Sequence, residues 1–130
     1  MIAGIGVDFV EVRRIAALLS RFGDRFLERV FTEDEQRYAR RSVKQAERLA
    51  GRFAVKEAVL KALGTGKSQG ILWRDVETVP GPMGRPVTRL HGAARAWMER
   101  VGGRSLHVTI SHDAGRAIAF VIIEGTEERG

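Results

Sequence analysis

The middle of the chain commits to one long helix with a defined end. From residue 52 to residue 66 it reads Arg-Phe-Ala-Val-Lys-Glu-Ala-Val-Leu-Lys-Ala-Leu-Gly-Thr-Gly. Ala54, Val55, Ala58, Leu60, Ala62 and Leu63 supply an apolar body, and glycine is the usual C-terminal stop. Glu57 and Lys61 lie four apart, so a carboxylate and an ammonium leave one face near the helix end. Taken alone, such a pair reads as a solvated ion pair worth a few tenths of a kcal/mol. Ser42-Val-Lys-Gln45 matches a capping box and is the expected start of the same helix.

Around this helix the hydrophobic period changes from one half of the chain to the other. Residues 2–8 are short, apolar and glycine-containing, and read as a buried strand with Asp8 at its end. Val12, Ile15, Leu18 and Leu19 recur at helical spacing over residues 11–22. Residues 24–30 read as another short helix, and Thr32-Glu-Asp-Glu35 caps one that runs to Arg40. Farther on, residues 71–73 and 75–79 read as extended. The turn cluster Pro80-Gly-Pro-Met-Gly-Arg-Pro86 leads into a strand over 87–90, so a hairpin is expected. Residues 92–101 form a helix stopped by Gly102 and Gly103. Leu106, Val108 and Ile110 then alternate with His107, Thr109 and Ser111, and residues 116–124 are apolar enough for a strand buried on both sides. Helices first and strands later predict an α+β fold, with an antiparallel sheet mainly in the second half. A single domain over 1–124 is expected, with 125–130 as a frayed tail.

Composition narrows the function classes. No apolar run is as long as a membrane span, and the N-terminus lacks a basic-then-apolar signal, so a cytoplasmic protein with no membrane partner is expected. The absence of cysteine excludes disulfides, thiol nucleophiles and cysteine-based zinc sites. A net charge of +6 calls for an acidic partner. The basic residues are overwhelmingly arginine, which suits bidentate contacts to carboxylate and phosphate, although a GC-rich genome produces the same bias. A small nucleic-acid-binding domain would account for the charge. It would leave Asp8 and Glu57 without a role, and the aromatic residues form no stacking platform, so no nucleic acid is expected.

Three blocks follow one another in this short chain: Met-Ile-Ala-Gly4-Ile-Gly6-Val-Asp8 with Glu11-Val-Arg-Arg14-Ile, the helix just described, and His107-Val-Thr-Ile-Ser111-His112-Asp113. Together, over residues 2–124, they resemble the holo-acyl-carrier-protein synthases, short bacterial 4'-phosphopantetheinyl transferases that use coenzyme A. The resemblance implies that family's α+β fold and a homotrimer with active sites shared between subunits. It implies transfer of the 4'-phosphopantetheine group of coenzyme A to a serine of an acidic acyl carrier protein, with release of 3',5'-ADP, in fatty acid biosynthesis. A transferase serving a carrier domain inside a multidomain synthase would carry the same motifs.

The pyrophosphate under attack in such a reaction is highly anionic, so catalysis consists mainly of charge neutralisation and positioning. Mg²⁺ held by one or two carboxylates and the substrate's phosphates suits this. By resemblance, Asp8 and Glu57 are the metal ligands. Lys61, one turn on, can reach the same phosphates as a point charge. Glu57, directly or through a metal-bound water, is the expected base for the carrier serine, so Asp8, Glu57 and Lys61 are the expected catalytic group. The resemblance also implies coenzyme contacts at Arg52, Lys61, Gly64, Thr65, Gly66, Arg85, Pro86, Ser111 and His112. Carrier contacts are implied at Arg13, Arg14, Arg21 and Arg25, of which Arg14 matches the family's position.

Two other chemistries are excluded. Gly64-Thr-Gly66-Lys67-Ser68 ends like a nucleotide P-loop but lacks the upstream glycine and follows a helix. Ser111 has no Gly-x-Ser-x-Gly frame, and a strand sends Ser111 and His112 to opposite faces, so the two are not a nucleophile and its base. His91 and His107 read as structural.

Overall fold

The computed structural model describes residues 1–126. Its elements are β1 (Ile2–Glu11), α1 (Val12–Phe22), α2 (Asp24–Val30), α3 (Glu33–Arg40), α4 (Gln45–Leu63), β2 (Val76–Pro80), β3 (Pro86–Leu90), α5 (Gly92–Arg100), β4 (Gly103–Asp113) and β5 (Arg116–Gly125). The α+β expectation holds, with one rearrangement. The main antiparallel sheet has the order β1-β5-β4, so the first strand of the chain forms an edge beside the last, and β2-β3 is a separate two-stranded sheet. Contact between β1 and β5 depends on chain ends meeting, which no local pattern encodes.

Helix α4 is the centre of the molecule. Leu49, Ala50, Ala54, Val55, Ala58 and Val59 are fully buried within it. Its close partner is β1. A Cβ on Gly4 would fall on the carbonyl of Ala62, and one on Gly6 on the carbonyl of Ala58. Glycine is therefore required at both positions so that strand backbone can lie directly on helix backbone. Side chains alternate along a strand, so Asp8 follows Gly4 and Gly6 on the face turned toward α4.

The caps divide by type. Thr32 and Glu35 form the expected capping box at α3. The one expected at Ser42 does not form: α4 begins two residues later, Lys44 is its N-cap, and Ser42 Oγ accepts from the Lys44 N–H at 3.0 Å. At the other end Gly64 adopts φ +80° and closes the helix by donating to Leu60 and Lys61, as read from sequence.

Three further expectations change. Residues Trp73–Asp75 form a 3-10 turn instead of extended chain, because the Asp75 carboxylate accepts from the Leu72 N–H and closes the loop locally. Strand β5 is buried on one face only: Ala117, Ala119, Val121 and Ile123 face α4, while Phe120 is 38% exposed on the other side. Finally, Gly125 does not fray but pairs with Gly103, and its N–H donates to Met1 O at 2.7 Å. The rest of the expected tail, 127–130, lies outside the described residues. Among the described residues, no helix is long and apolar enough to cross a membrane.

Candidate active site

Asp8, Glu57 and Lys61 converge where β1 crosses the C-terminal half of α4. Lys61 Nζ donates to Asp8 Oδ1 at 3.0 Å and to Val7 O at 3.0 Å. The i,i+4 ion pair expected between Glu57 and Lys61 does not form; Lys61 turns to the strand carboxylate instead. Glu57 is half-buried, and its carboxyl is pushed up to about 7. Burial is the main cause, followed by the neighbouring Asp8 carboxylate, which repels a charged Glu57 and can accept from a protonated one; Arg14 and Lys61 oppose the rise.

The second Asp8 oxygen, Oδ2, is buried and has no hydrogen-bond donor. An acceptor withdrawn from water beside another carboxylate needs a proton or a cation. The residues thus fit the divalent ion that the resemblance implies. Among the described residues no group of three or more His, Cys, Asp or Glu surrounds a common point. Two carboxylates leave most positions of a hard cation to water and substrate oxygens, which is how Mg²⁺ is usually held.

Beside this cluster, Glu57, Leu60, Lys61, Gly66, Lys67 and Trp73 line a pocket of about 190 Å³. The Trp73 ring, in a segment expected only to be extended, lies 5.0 Å from Phe53, and Lys67 Nζ stands 5.5 Å from it. Gly64, Thr65 and Gly66 bend the chain away from the helix end, Gly66 at φ +59°. An aromatic residue a few positions beyond the glycine-rich bend is the one sequence signal that marks this wall.

The other expected coenzyme residues do not join that pocket. Arg52 is buried, stacks on Tyr38 at 4.0 Å, and leaves its Nε without a partner. Arg85 is exposed and Pro86 half-exposed on the β2-β3 turn, where Gly84 takes φ +78°. Ser111 lies on the outer face of β4. His112 faces inward, and its Nε2 is 3.1 Å from Glu47 O. Gly51 packs beside it, where a Cβ would come within 3.2 Å of Ile110 Cγ2 and would only touch the imidazole. Of the histidines read as structural, His91 pairs with Glu77 and His107 with Glu124, both at 3.1 Å.

The four expected carrier arginines also separate. Arg14 stands 5.8 Å from the Phe53 ring and is close enough to Glu57 to oppose its shift. Arg25 lines a groove of about 240 Å³ with Leu18, Phe22, Phe26 and Arg29. Arg21 lies over Phe22 at 5.1 Å. Arg13 instead pairs with Glu11 at 2.7 Å and borders a different depression, beside Gly115 and Arg116. Arg29 and the apolar floor of the groove were not singled out in the sequence, although Phe22, Phe26 and Arg29 are spaced to share one side of a helical hairpin.

A family model described as the 4'-phosphopantetheinyl transferase superfamily matches residues 4–121. A holo-[acyl-carrier-protein] synthase of Methylobacterium nodulans is 51% identical over 132 residues, covering 98% of this chain and all of the relative. Among solved structures, the holo-[acyl-carrier-protein] synthase of Neisseria meningitidis superposes with a TM-score of 0.86 at 34% identity, over 95% of this chain and 99% of that one. The Helicobacter pylori synthase in complex with coenzyme A superposes with a TM-score of 0.81 at 34% identity, over 92% and 99%.

Proposed function

The chain belongs to the 4'-phosphopantetheinyl transferase superfamily, and on that premise we propose that it acts as a holo-[acyl-carrier-protein] synthase. It transfers the 4'-phosphopantetheine group of coenzyme A to a serine of apo-acyl carrier protein. The serine Oγ forms a bond to the phosphorus that bears pantetheine. The bond from that phosphorus to the bridging oxygen breaks, and 3',5'-ADP leaves with the electron pair.

The observation that carries the reading is the Asp8–Glu57 carboxylate pair, with one buried oxygen lacking a donor and Lys61 one turn farther along α4. Asp8 and Glu57 would hold Mg²⁺, which would neutralise charge on the pyrophosphate. Glu57 is also the group assigned to accept the serine proton. Lys61 presents a point charge toward phosphate while keeping Asp8 in place. Arg52, Arg85 and His112 bind the nucleotide end of the coenzyme, together with Pro86, Ser111 and the bend at Gly64, Thr65 and Gly66. Arg14, Arg21 and Arg25, with Arg29, receive the acidic carrier, and Arg13 is the weakest of the expected contacts because Glu11 already holds it.

The working protein is a homotrimer in the cytoplasm, active in fatty acid synthesis. The outer face of the main sheet supports the oligomer. Ile5 opposes Ile122, Val7 opposes Phe120 and Phe9 opposes Ile118 across β1 and β5, while Ile5, Val7 and Phe9 are about half exposed in the single chain. A contiguous apolar face of this kind marks an interface. Ile5, Val7 and Phe120 also share a depression of about 360 Å³ with Lys61, so a neighbour seated on the sheet would reach the catalytic cluster. That placement would let Arg85, or the Ser111 that lies on the same outer face, complete the pocket of another subunit.

The test is to incubate the protein with apo-acyl carrier protein, coenzyme A and Mg²⁺ and to weigh the carrier. A mass gain of one phosphopantetheine is expected, and an unchanged mass would overturn the reading. Mixing Glu57→Ala with Arg85→Ala protein, after subunit exchange, is expected to restore part of the activity that each lacks alone.

A further inference from the structure

Lys56 immediately precedes Glu57 in α4, yet it points elsewhere and has no exposed surface at all. Burying a lysine ammonium is costly, and burial pulls its pKa down against the pull of Glu35. Its surroundings are nonetheless complete. Lys56 Nζ donates to Glu35 Oε1 at 2.8 Å, to Trp73 O at 3.0 Å and to Val76 O. Three donors meet three acceptors. Glu35 is equally buried; its Oε1 also accepts from the Thr32 N–H and its Oε2 from the Thr78 N–H, both at 3.0 Å.

Both charges thus converge on one short segment, residues 73–78. Two of the three lysine protons hold the backbone carbonyls at either end of the 3-10 turn that begins at Trp73, and Glu35 holds the strand just beyond it. A three-residue turn has little hydrogen bonding of its own to fix its position. The indole that this turn carries is the wall of the pocket shared with Glu57 and Lys61. Adjacent residues of α4 therefore do complementary work: Glu57 enters the pocket, and Lys56 anchors its opposite wall from behind.

We propose that Lys56 is a positioning residue for coenzyme A: through the carbonyls of Trp73 and Val76 it holds the Trp73 indole at a set distance from Glu57. The proposal deepens the coenzyme A reading and rests on it. A core ion pair with no such role would affect stability and leave the two substrates on an equal footing.

Steady-state kinetics and fluorescence decide the matter, in a Trp97→Phe background that leaves Trp73 as the remaining indole. Lys56→Met is expected to raise KM for coenzyme A by about tenfold and to keep KM for the carrier within about twofold. Acrylamide quenching of Trp73 is expected to increase in the same protein. Because Lys56→Met strands the Glu35 charge, Glu35→Gln/Lys56→Met is measured beside it and is expected to show the same split. The chain contains no cysteine, so Lys56→Cys can be alkylated with 2-bromoethylamine while unfolded to give a lysine analogue at that position alone. After refolding, the alkylated protein is expected to recover the wild-type KM and quenching. Equal rises in both KM values, unchanged quenching, unfolding of both the single and the double variant, or an alkylated protein that refolds without recovery would each overturn the proposal. If the wild-type protein turns over no coenzyme A, the functional reading falls, while the quenching still decides whether Lys56 holds Trp73.

Discussion

Lys56 and Glu57 are neighbours in sequence and opposites in chemistry. The Lys56 cluster is dry and complete, every charged atom meeting a partner at hydrogen-bond distance. The Glu57 cluster is half-wet and incomplete: two carboxylates face each other, one oxygen has no donor, and Glu57 is held up at about 7. A satisfied buried pair is a device of architecture, whereas an unsatisfied one stores an unfavourable interaction that a ligand can relieve. The same helix carries both because one face of α4 meets β2 and the Trp73 turn while another meets β1 and open solvent.

The largest expected effect follows from emptying the incomplete cluster. Glu57→Ala or Asp8→Ala is expected to lower transfer to the carrier by about 10²- to 10³-fold. Removing either carboxylate also removes repulsion, so the melting temperature should hold or rise. Lower stability with intact turnover would invert the contrast between the two clusters.

Emptying the complete cluster should show the reverse weighting. Lys56→Met leaves Glu35 charged in the core and is expected to cost about 3–5 kcal/mol by urea unfolding. Glu35→Gln/Lys56→Met should recover a large part of that loss, since no buried charge remains. Equal destabilisation by the single and double variants would show that shape, not charge, matters there.

A pH series sharpens the difference further. The folded value of Glu57, about 7, lies above its ordinary 4.5. A group raised in this way supports the fold fully below its ordinary value and loses that support as pH rises through the folded one. Metal-free wild-type protein should therefore lose stability relative to Glu57→Gln between about pH 5 and about pH 8. Over the lower part of the same window Mg²⁺ must displace a proton, so its apparent affinity, read by calorimetry, should weaken about tenfold per pH unit below 7. A flat profile in both measurements would show that Glu57 is already ionised without metal.

The smallest effects concern the arginines. Arg25→Glu and Arg29→Glu, in the groove floored by Leu18, Phe22 and Phe26, should each raise KM for the carrier by about three- to tenfold and leave coenzyme A unaffected. Arg13→Glu should change little, because Glu11 already neutralises Arg13 on the far side of the helix start. Equal effects at all three would extend the docking face over both α1 and α2.

Much of the fold was legible because short-range physics determines it. The glycine stop at Gly64, the capping box from Thr32 to Glu35 and the alternation of Leu106, Val108 and Ile110 each depend on neighbours a few residues away. The candidate site was legible for a different reason: Asp8, Glu57 and Lys61 sit in motifs that resemble a known family. Sequence alone left Glu57 and Lys61 as a plausible surface pair, and the tertiary structure broke that pair by bringing Asp8, 53 positions from Lys61, into reach. The Lys56–Glu35 contact, 21 positions apart, was invisible because a lysine among apolar residues reads as an exposed one until its surroundings are known. Periodicity determined which segments become helix or strand and where they stop. Only the packing of β1 and the Trp73 turn onto α4 decided which charges are satisfied, because desolvation depends on what covers a group and not on what precedes it in the chain.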